Sequence, residues 1–134
     1  MSDKFTKEHL EAYLEELYTD DDPIRQEMEA LAQEIKFPIV GLLSGRALYQ
    51  MARMIGARRV FELGSGYGYS ALFFARAVGD TGEVHCTDLS EKNIELAEDF
   101  LSRANVWPRI TYHQEDAIAA LRRVGGTWDL IYND

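Results

Sequence analysis

The sequence predicts an α/β protein in which helices cover a doubly wound parallel β-sheet. Three observations lead to this prediction. From residue 57 onward, short apolar runs alternate with segments of helical periodicity, a glycine-rich segment joins the first run to its helix, and the first 56 residues show helical spacing only. Strands and helices that alternate in this way form a parallel sheet with right-handed crossovers. We therefore expect a helical lead-in, residues 1–56, and a sheet-forming part, residues 57–134.

Three helices are predicted in the lead-in. Apolar residues recur at helical spacing in Thr6–Tyr18 and Ile24–Ile35, and a third helix runs over Leu42–Ile55. The segment Asp20–Pro23 separates the first two, because an aspartate before a proline is a favourable start for the second helix. The third helix is expected to end at Gly56.

Four strands and three further helices are predicted after residue 57. The strands are Val60–Leu63, Glu83–Thr87, Arg109–His113 and Trp128–Asn133, and the helices are Ser70–Val78, Ser90–Ala104 and Asp116–Val124. Ser90 and Asn93 form a partial capping box, because asparagine stands where glutamate or glutamine is usual. The third strand alternates apolar with polar residues, a pattern typical of a sheet edge.

The charge of the chain argues against some classes of partner. Acidic residues outnumber basic residues by 23 to 14, and the formal net charge is −9. A field of this sign repels phosphate backbones and anionic lipids, so we expect neither nucleic-acid nor membrane binding. The acidity is also consistent with a role in solubility alone.

A cytoplasmic location is expected from the cysteine content and the N-terminus. The single cysteine, Cys86, cannot form a disulfide within the chain, which fits a reducing compartment. The segment Met1–Lys4 begins no apolar signal core, and no run approaches 18 apolar residues.

The glycine-rich segment is the most informative part of the sequence. Gly64, Gly66 and Gly68 lie between a predicted strand and a predicted helix, where glycine permits a tight turn and close approach of a ligand. The same triplet also occurs in simple turns. The flanking strand and helix favour a nucleotide-type ligand over a turn alone.

The glutamate before these glycines helps to choose the ligand. Glu62 would repel a pyrophosphate at the end of the strand, whereas the ammonium and sulfonium groups of S-adenosylmethionine (SAM) would be attracted to it. The helix N-terminus behind the loop can hold the carboxylate of SAM. The spacing G-x-G-x-G also differs from the dinucleotide fingerprint. A solvated glutamate at the strand end is the alternative interpretation.

Two aspartates follow the second and third predicted strands. Asp88 is placed to accept hydrogen bonds from ribose hydroxyls, which fits SAM and dinucleotides equally well. Alternatively, it is an acid at the start of the helix after Ser90. Asp116 could accept a hydrogen bond from an adenine amino group or cap the helix that follows it.

With these residues assembled, the chain resembles the class I SAM-dependent O-methyltransferases, in the group of catechol and caffeoyl-CoA O-methyltransferases. The segment Glu62–Ala71 is similar to the first motif of that group, Pro38–Val60 to its lead-in helix and Trp128–Asp134 to its fourth strand. The resemblance implies a Rossmann-like sheet with seven strands in the order 3-2-1-4-5-7-6, of which strands 1–4 are present.

The resemblance also implies a set of cofactor-binding residues and one metal ligand. The expected contacts of SAM are Val40, Glu62, Gly64, Ser65, Gly66, Tyr67, Ser70, Asp88, Leu89, Asp116 and Ala117. Val40, Glu62 and the glycine backbone would hold its methionine part, with Ser70 at the carboxylate. Asp134 matches the first aspartate of a divalent metal site, usually magnesium in a full-length form, which lowers the pKa of the acceptor hydroxyl. One carboxylate alone is not a site.

The implied function is methyl transfer from SAM to a hydroxyl of a small, aromatic acceptor. The missing strands would leave the fourth strand as an exposed edge with Leu130, Ile131 and Tyr132, so we expect a homodimer or a domain-swapped oligomer. The alternatives are a non-catalytic, self-associating SAM-binding half-domain and, with less support, a NAD-dependent oxidoreductase. His9, His85 and His113 are widely separated in the sequence and have no ligand spacing, so we expect solvated or core roles for them rather than metal binding.

Overall fold

The computed structural model describes residues 6–18 and 21–134. The predicted contribution of Asp20 to the end of the first helix, and the segment Met1–Lys4, lie outside these residues. Six α-helices and four strands follow one another in the described part. The helices are α1 Lys7–Glu16, α2 Pro23–Ile35, α3 Gly41–Met54, α4 Tyr69–Val78, α5 Glu91–Arg103 and α6 Ala117–Val124; the strands are β1 Arg59–Leu63, β2 Glu83–Thr87, β3 Ile110–His113 and β4 Leu130–Asn133.

Side-chain caps define where several helices begin. Asp22 accepts a hydrogen bond from the backbone N–H of Arg25 at the start of α2, where Pro23 occupies the first helical position. Ser90 accepts from the N–H of Asn93 at the start of α5. The side chain of Asn93 donates to Asp88 and does not close the second half of a capping box. The predicted caps of α2 and α5 are therefore present.

The strands form one parallel sheet in the order β3-β2-β1-β4. This order equals the first four positions of the sheet implied by the resemblance, and the predicted Rossmann-like α/β class is confirmed. β3 lies at one edge, as its alternating pattern indicated, and β4 lies at the other. A 3-10 turn over Trp107–Arg109 leads into β3.

The two faces of the sheet carry different residues. Val60 of β1 aligns with Val84 of β2 and Leu130 of β4, and this face packs against α4, whose Phe74 ring lies 5.5 Å from that of Tyr132. The side chains next along each strand face the opposite side. That side is covered by α6, which contacts β1.

The lead-in helices share the main core with the sheet. Met28 and Ala32 of α2 and Leu48 and Ala52 of α3 are buried in one apolar cluster with Val60 and other strand residues. α3 also packs against α4, where the ring of Phe73 occupies the space beside Gly45. Among residues 6–18 and 21–134, no helix has the length and apolar character needed to cross a bilayer.

Candidate functional site

A cavity of about 430 Å³ opens at the carboxyl end of β1. Its walls come from the segment between α2 and α3, from the glycine loop and from the ends of β2 and β4. The lining residues are Phe37, Pro38, Ile39, Val40, Gly64, Ser65, Gly66, Tyr67, Tyr69, Ser70, Asp88 and Asp134. Ligands of parallel α/β sheets bind at this edge of the sheet. The cavity is therefore the candidate site.

The glycine loop adopts backbone conformations that side chains with a Cβ rarely allow. Gly64, Gly66 and Gly68 have φ values of +84°, +53° and +93°. A Cβ on Gly66 would lie 2.8 Å from the ring of Phe37, so a side chain there would displace the wall of the cavity. Glycine is thus required at this position both by the turn and by the close approach of Phe37.

Thr87, at the end of β2, fixes the start of the loop. Its hydroxyl accepts a hydrogen bond from the N–H of Gly64 at 2.9 Å and donates to the carbonyl of Glu62 at 3.1 Å. In return, the N–H of Thr87 donates to the hydroxyl of Ser65 at 3.1 Å. These three bonds join β1 to β2 at the floor of the cavity. The sequence interpretation did not include Thr87, although a buried threonine at a strand end is a signal of this kind of contact.

Glu62 is completely buried, so it is not the solvated glutamate of the alternative interpretation. One carboxylate oxygen accepts a hydrogen bond from the hydroxyl of Ser70 at 2.8 Å, and the other has no partner among the described residues. Burial raises the pKa of Glu62 to about 7, against the lowering effect of the hydrogen bond from Ser70. A buried acid with an unsatisfied oxygen is suited to a cationic ligand group.

The structure places Glu62 behind the cavity wall rather than on it. Ser70 lines the cavity and Glu62 does not, so the carboxylate acts on the cavity through Ser70. Because the single hydroxyl proton of Ser70 is directed to Glu62, this hydroxyl offers an acceptor to the cavity. The expected contact of Ser70 with a ligand carboxylate would therefore use its backbone N–H, which lies in the first turn of α4.

Val40 and Tyr67, two of the cofactor contacts implied by the resemblance, line the first cavity. Tyr67 is nevertheless buried, and its hydroxyl donates to the carbonyl of Met28 at 2.8 Å. This side chain therefore anchors the loop to α2 as well as lining the cavity. Tyr112 of β3 anchors the other side, since its hydroxyl donates to the carbonyl of Gly66 at 3.1 Å.

A second cavity, of about 360 Å³, adjoins the first at Gly64 and Asp88. It is lined by Gly64, Thr87, Asp88, Leu89, Glu115, Asp116 and Ala117. Leu89 is 73% exposed, which leaves its side chain free to cover a ligand. Four predicted contacts, Asp88, Leu89, Asp116 and Ala117, are thus brought together, next to the glycine loop.

Both aspartates of this second cavity also have local structural partners. Asp88 accepts hydrogen bonds from the N–H of Ser90 at 2.7 Å and from the side chain of Asn93. Asp116 caps α6 by accepting from the N–H of Ala119 through one oxygen. The capping interpretation of Asp116 is therefore confirmed. Among residues 6–18 and 21–134, the second oxygen of Asp116 accepts no hydrogen bond, so it is available to a ligand.

The metal expected at Asp134 does not fit the residues present. Asp134 lines the first cavity, and its N–H donates to the carbonyl of Leu63 at 3.2 Å. Over residues 6–18 and 21–134, however, no group of three or more histidine, cysteine, aspartate or glutamate side chains could hold a metal ion. A hard cation requires several oxygen ligands, so Asp134 would be one ligand of an incomplete site.

Two of the three histidines contact each other in the fold. His85 of β2 and His113 of β3 lie on the α6 face with their ring nitrogens 2.8 Å apart. Both rings stack on Phe61, and Arg123 of α6 contacts His113 at 3.0 Å. The sequence separates the two histidines by 28 residues, and only the parallel register of β2 and β3 brings them together.

Comparison with known proteins gives consistent results. A family model described as O-methyltransferase matches residues 14–134. The catechol O-methyltransferase of Mycobacterium tuberculosis is 30% identical over 128 residues, which are 93% of this chain and 58% of that protein. Caffeoyl-CoA O-methyltransferase 1 of Eucalyptus globulus is 28% identical over 95 residues, 67% of this chain and 39% of that protein.

A solved structure shows the same fold. The O-methyltransferase TomG of Streptomyces achromogenes, in complex with SAM, superposes with a TM-score of 0.85 at 24% identity, over 93% of this chain and 59% of that protein. At this identity the likeness concerns the fold alone. The chain thus spans less than two thirds of each of these proteins.

Proposed function

Since the chain belongs to the O-methyltransferase family, we propose that it binds SAM and contributes to methyl transfer onto a hydroxyl of a small, aromatic acceptor. The observation that carries this proposal is the glycine-loop cavity with the buried carboxyl of Glu62 behind it. A cavity backed by an acid favours the cationic methyl donor over a dinucleotide, whose pyrophosphate the acid would repel. The names of the two relatives support the acceptor class.

The proposed arrangement assigns one part of the cofactor to each cavity. Val40, the backbone of the glycine loop from Gly64 to Tyr67, and Ser70 would hold the methionine part, with Glu62 favouring its ammonium group. The free N–H groups in the first turn of α4 would hold its carboxylate. In the second cavity, Asp88 and Leu89 would hold the ribose, and Asp116 with Ala117 the adenine.

The chemistry that SAM supplies is an electrophilic methyl group on a sulfonium. In the proposed reaction, the acceptor hydroxyl loses its proton to solvent and its oxygen forms a bond to the methyl carbon. The carbon–sulfur bond breaks, its electron pair stays on sulfur, and S-adenosylhomocysteine (SAH) leaves. What the described residues would contribute is orientation, by fixing the methyl donor above the ends of β1 and β4. In a full-length form, Asp134 would be one ligand of a magnesium ion. Because the other ligands are not present, we derive no step through a metal.

Residues 1–56 are proposed as a helical lead-in and residues 57–134 as the cofactor-binding part. Phe37, Pro38, Ile39 and Val40, which line the first cavity, support a role of the lead-in as one wall of the binding site. We also propose a cytoplasmic location without nucleic-acid or membrane partners. The buried free thiol of Cys86 and the net charge of −9 support these points.

Calorimetry tests the cofactor assignment. We expect SAM and SAH to bind with one site per chain and NAD not to bind. Binding of NAD without competition by SAM would contradict the proposal and favour an oxidoreductase. Methylation of catechol in the presence of magnesium, measured for this chain and for a longer polypeptide that includes further strands, tests the reaction. SAM binding without methylation by either polypeptide would favour the non-catalytic alternative.

Self-association is the remaining part of the proposal. β4 is the outermost strand on its side of the sheet, and Ile131 is 52% exposed. An unpaired edge of this kind is a template for pairing with another strand. The proposed assembly is a homodimer or a domain-swapped oligomer of this chain. Light scattering at increasing concentration tests it, and a monomer at all concentrations would contradict it.

A further inference from the structure

Helix α2 holds the glycine loop through two tyrosine hydroxyls. Tyr67 donates to the carbonyl of Met28 at 2.8 Å, and Tyr69 donates to a carboxylate oxygen of Glu29 at 2.6 Å. The two acceptors are consecutive residues of α2, and the two donors lie on either side of Gly68. The loop is therefore attached to α2 at its turn into α4.

Glu29 is itself held in place by Arg25, one turn earlier in α2. The same oxygen of Glu29 that accepts from Tyr69 also accepts from Arg25 at 2.6 Å. The side chain of Arg25 is only 5% exposed, so its guanidinium is shielded from solvent, whereas the side chain of Glu29 is 27% exposed. A charge-assisted contact to a nearly buried guanidinium fixes a carboxylate more firmly than an exposed pair would.

The hydroxyl of Tyr69 is the hydrogen-bond donor in its contact with Glu29. Burial raises the pKa of its hydroxyl well above the ordinary value, and the bond to Glu29 raises it further. The ring of Tyr69 packs against Phe73, with the centroids 5.4 Å apart. Removal of the hydroxyl alone would leave this packing intact.

The position of Tyr69 matters because it is the first residue of α4 and lines the first cavity. The next residue, Ser70, contacts Glu62. Gly68, the residue before Tyr69, has no side chain and therefore cannot cap the start of α4. The contact with Glu29 supplies a fixed point from outside the loop.

We propose that Glu29 is a positioning residue for the cofactor: through Tyr69, it holds the first turn of α4 in the conformation that receives the methionine part of SAM. This inference rests on the proposed function. Glu29 lies in α2 and is not among the residues that line the first cavity. Its effect on affinity would therefore be indirect.

The test compares SAH affinity among variants of the full 134-residue chain. Tyr69→Phe and Glu29→Ala are each expected to weaken SAH binding about tenfold, the effect of one lost charge-assisted hydrogen bond. The double variant should bind no more weakly than Glu29→Ala alone, because removal of the Glu29 carboxylate already removes the contact with the Tyr69 hydroxyl. Glu29→Gln, whose amide oxygen can still accept from Tyr69, should recover part of the affinity.

Glu27→Ala is the matched control. Glu27 lies on the same helix and pairs with Arg103 of α5 at 2.7 Å, away from the glycine loop. This variant should bind SAH like the unmodified chain. Urea unfolding of every variant separates an effect on affinity from an effect on stability. If Glu29 had a purely structural role, the loss of SAH affinity would be proportional to the loss of unfolding free energy in both Glu27→Ala and Glu29→Ala.

Equal SAH affinity of Tyr69→Phe, Glu29→Ala and the unmodified chain would overturn this inference and leave the proposed function in place. If the loss of SAH affinity in the double variant equalled the sum of the losses in the two single variants, the proposed coupling between Glu29 and Tyr69 would be overturned. Failure of the unmodified chain to bind SAH would overturn the proposed function and this inference with it.

Discussion

The hydroxyl of Ser70 donates a hydrogen bond to the carboxylate of Glu62 across 2.8 Å, inside the protein. This bond connects an acid that solvent does not reach with a residue on the cavity wall. A charge on Glu62 is felt in the cavity without direct contact. The bond also makes the ionisation of Glu62 depend on what the cavity contains, from which the first prediction follows.

SAH binding should become tighter as the pH rises towards 7 and should level off above it. The pKa of Glu62 is about 7 in the ligand-free protein because the group is buried, and the ligand's ammonium favours the ionised form. Binding therefore releases a proton below this pH, and the gain in affinity cannot exceed tenfold per pH unit. Calorimetry in buffers of different ionisation enthalpy measures the release. Glu62→Gln should bind more weakly and without this pH dependence.

Ionisation of Glu62 should make the ligand-free protein less stable as the pH rises, whereas it makes ligand binding tighter. Its folded pKa, about 7, lies above its ordinary value of 4.5, so its stabilising contribution is complete below pH 4.5 and is lost as the pH rises through 7. The unfolding free energy of the unmodified chain minus that of Glu62→Gln should therefore decrease as the pH rises from 4.5 to 7. A difference that does not change over this range would contradict the raised pKa.

Thr87→Val should destabilise the fold by about 1–3 kcal/mol, because it leaves the N–H of Gly64 without its partner in a part-buried loop. Urea unfolding measures the loss. Thr87→Ser keeps the hydroxyl and should cost less. SAH affinity should fall in the valine variant as the start of the glycine loop becomes mobile. Equal stability of the two variants would show that the hydroxyl does not hold the loop.

Gly45→Ala should destabilise the protein although alanine favours helix formation. A Cβ at Gly45 would overlap the ring of Phe73, where α3 packs on α4. Overpacking of this kind costs about 1–3 kcal/mol, more than the roughly 1 kcal/mol gained in helix propensity. Thermal unfolding measures the balance. Phe73→Leu should recover stability in the Gly45→Ala background, and its failure to do so would contradict the steric explanation.

His113 should make the protein less stable as the pH falls below 6.5. Burial lowers the pKa of His113, and the neighbouring His85 and Arg123 lower it further, so the folded protein disfavours the charged form. Because the unfolded chain binds this proton at a higher pH than the folded protein does, the free energy of unfolding decreases as the pH falls through this range. The unfolding free energy of the unmodified chain minus that of His113→Asn should fall over this range. A difference that stays constant below pH 6.5 would contradict the lowered pKa of His113.

Local patterns in the sequence were enough to predict the elements and their order. Helix starts at Asp22, Ser90 and Asp116 depend on side chains that bond to backbone groups three residues away, so the sequence displays them directly. The glycine loop was predictable for the same reason, since its turn depends on residues within a short segment. The strand–helix alternation then determined a parallel sheet.

The contacts that define the candidate site were decided by the tertiary structure. The sequence located Glu62 at a strand end, but the fold determined that Ser70 stands between it and the cavity. The bond between Glu29 and Tyr69 joins residues 40 positions apart, and His85 meets His113 across two strands. Such contacts depend on how helices dock and on strand register, which are properties of the packed core as a whole. A local pattern reports only on its near neighbours along the chain, and this is why it revealed the elements and not these contacts.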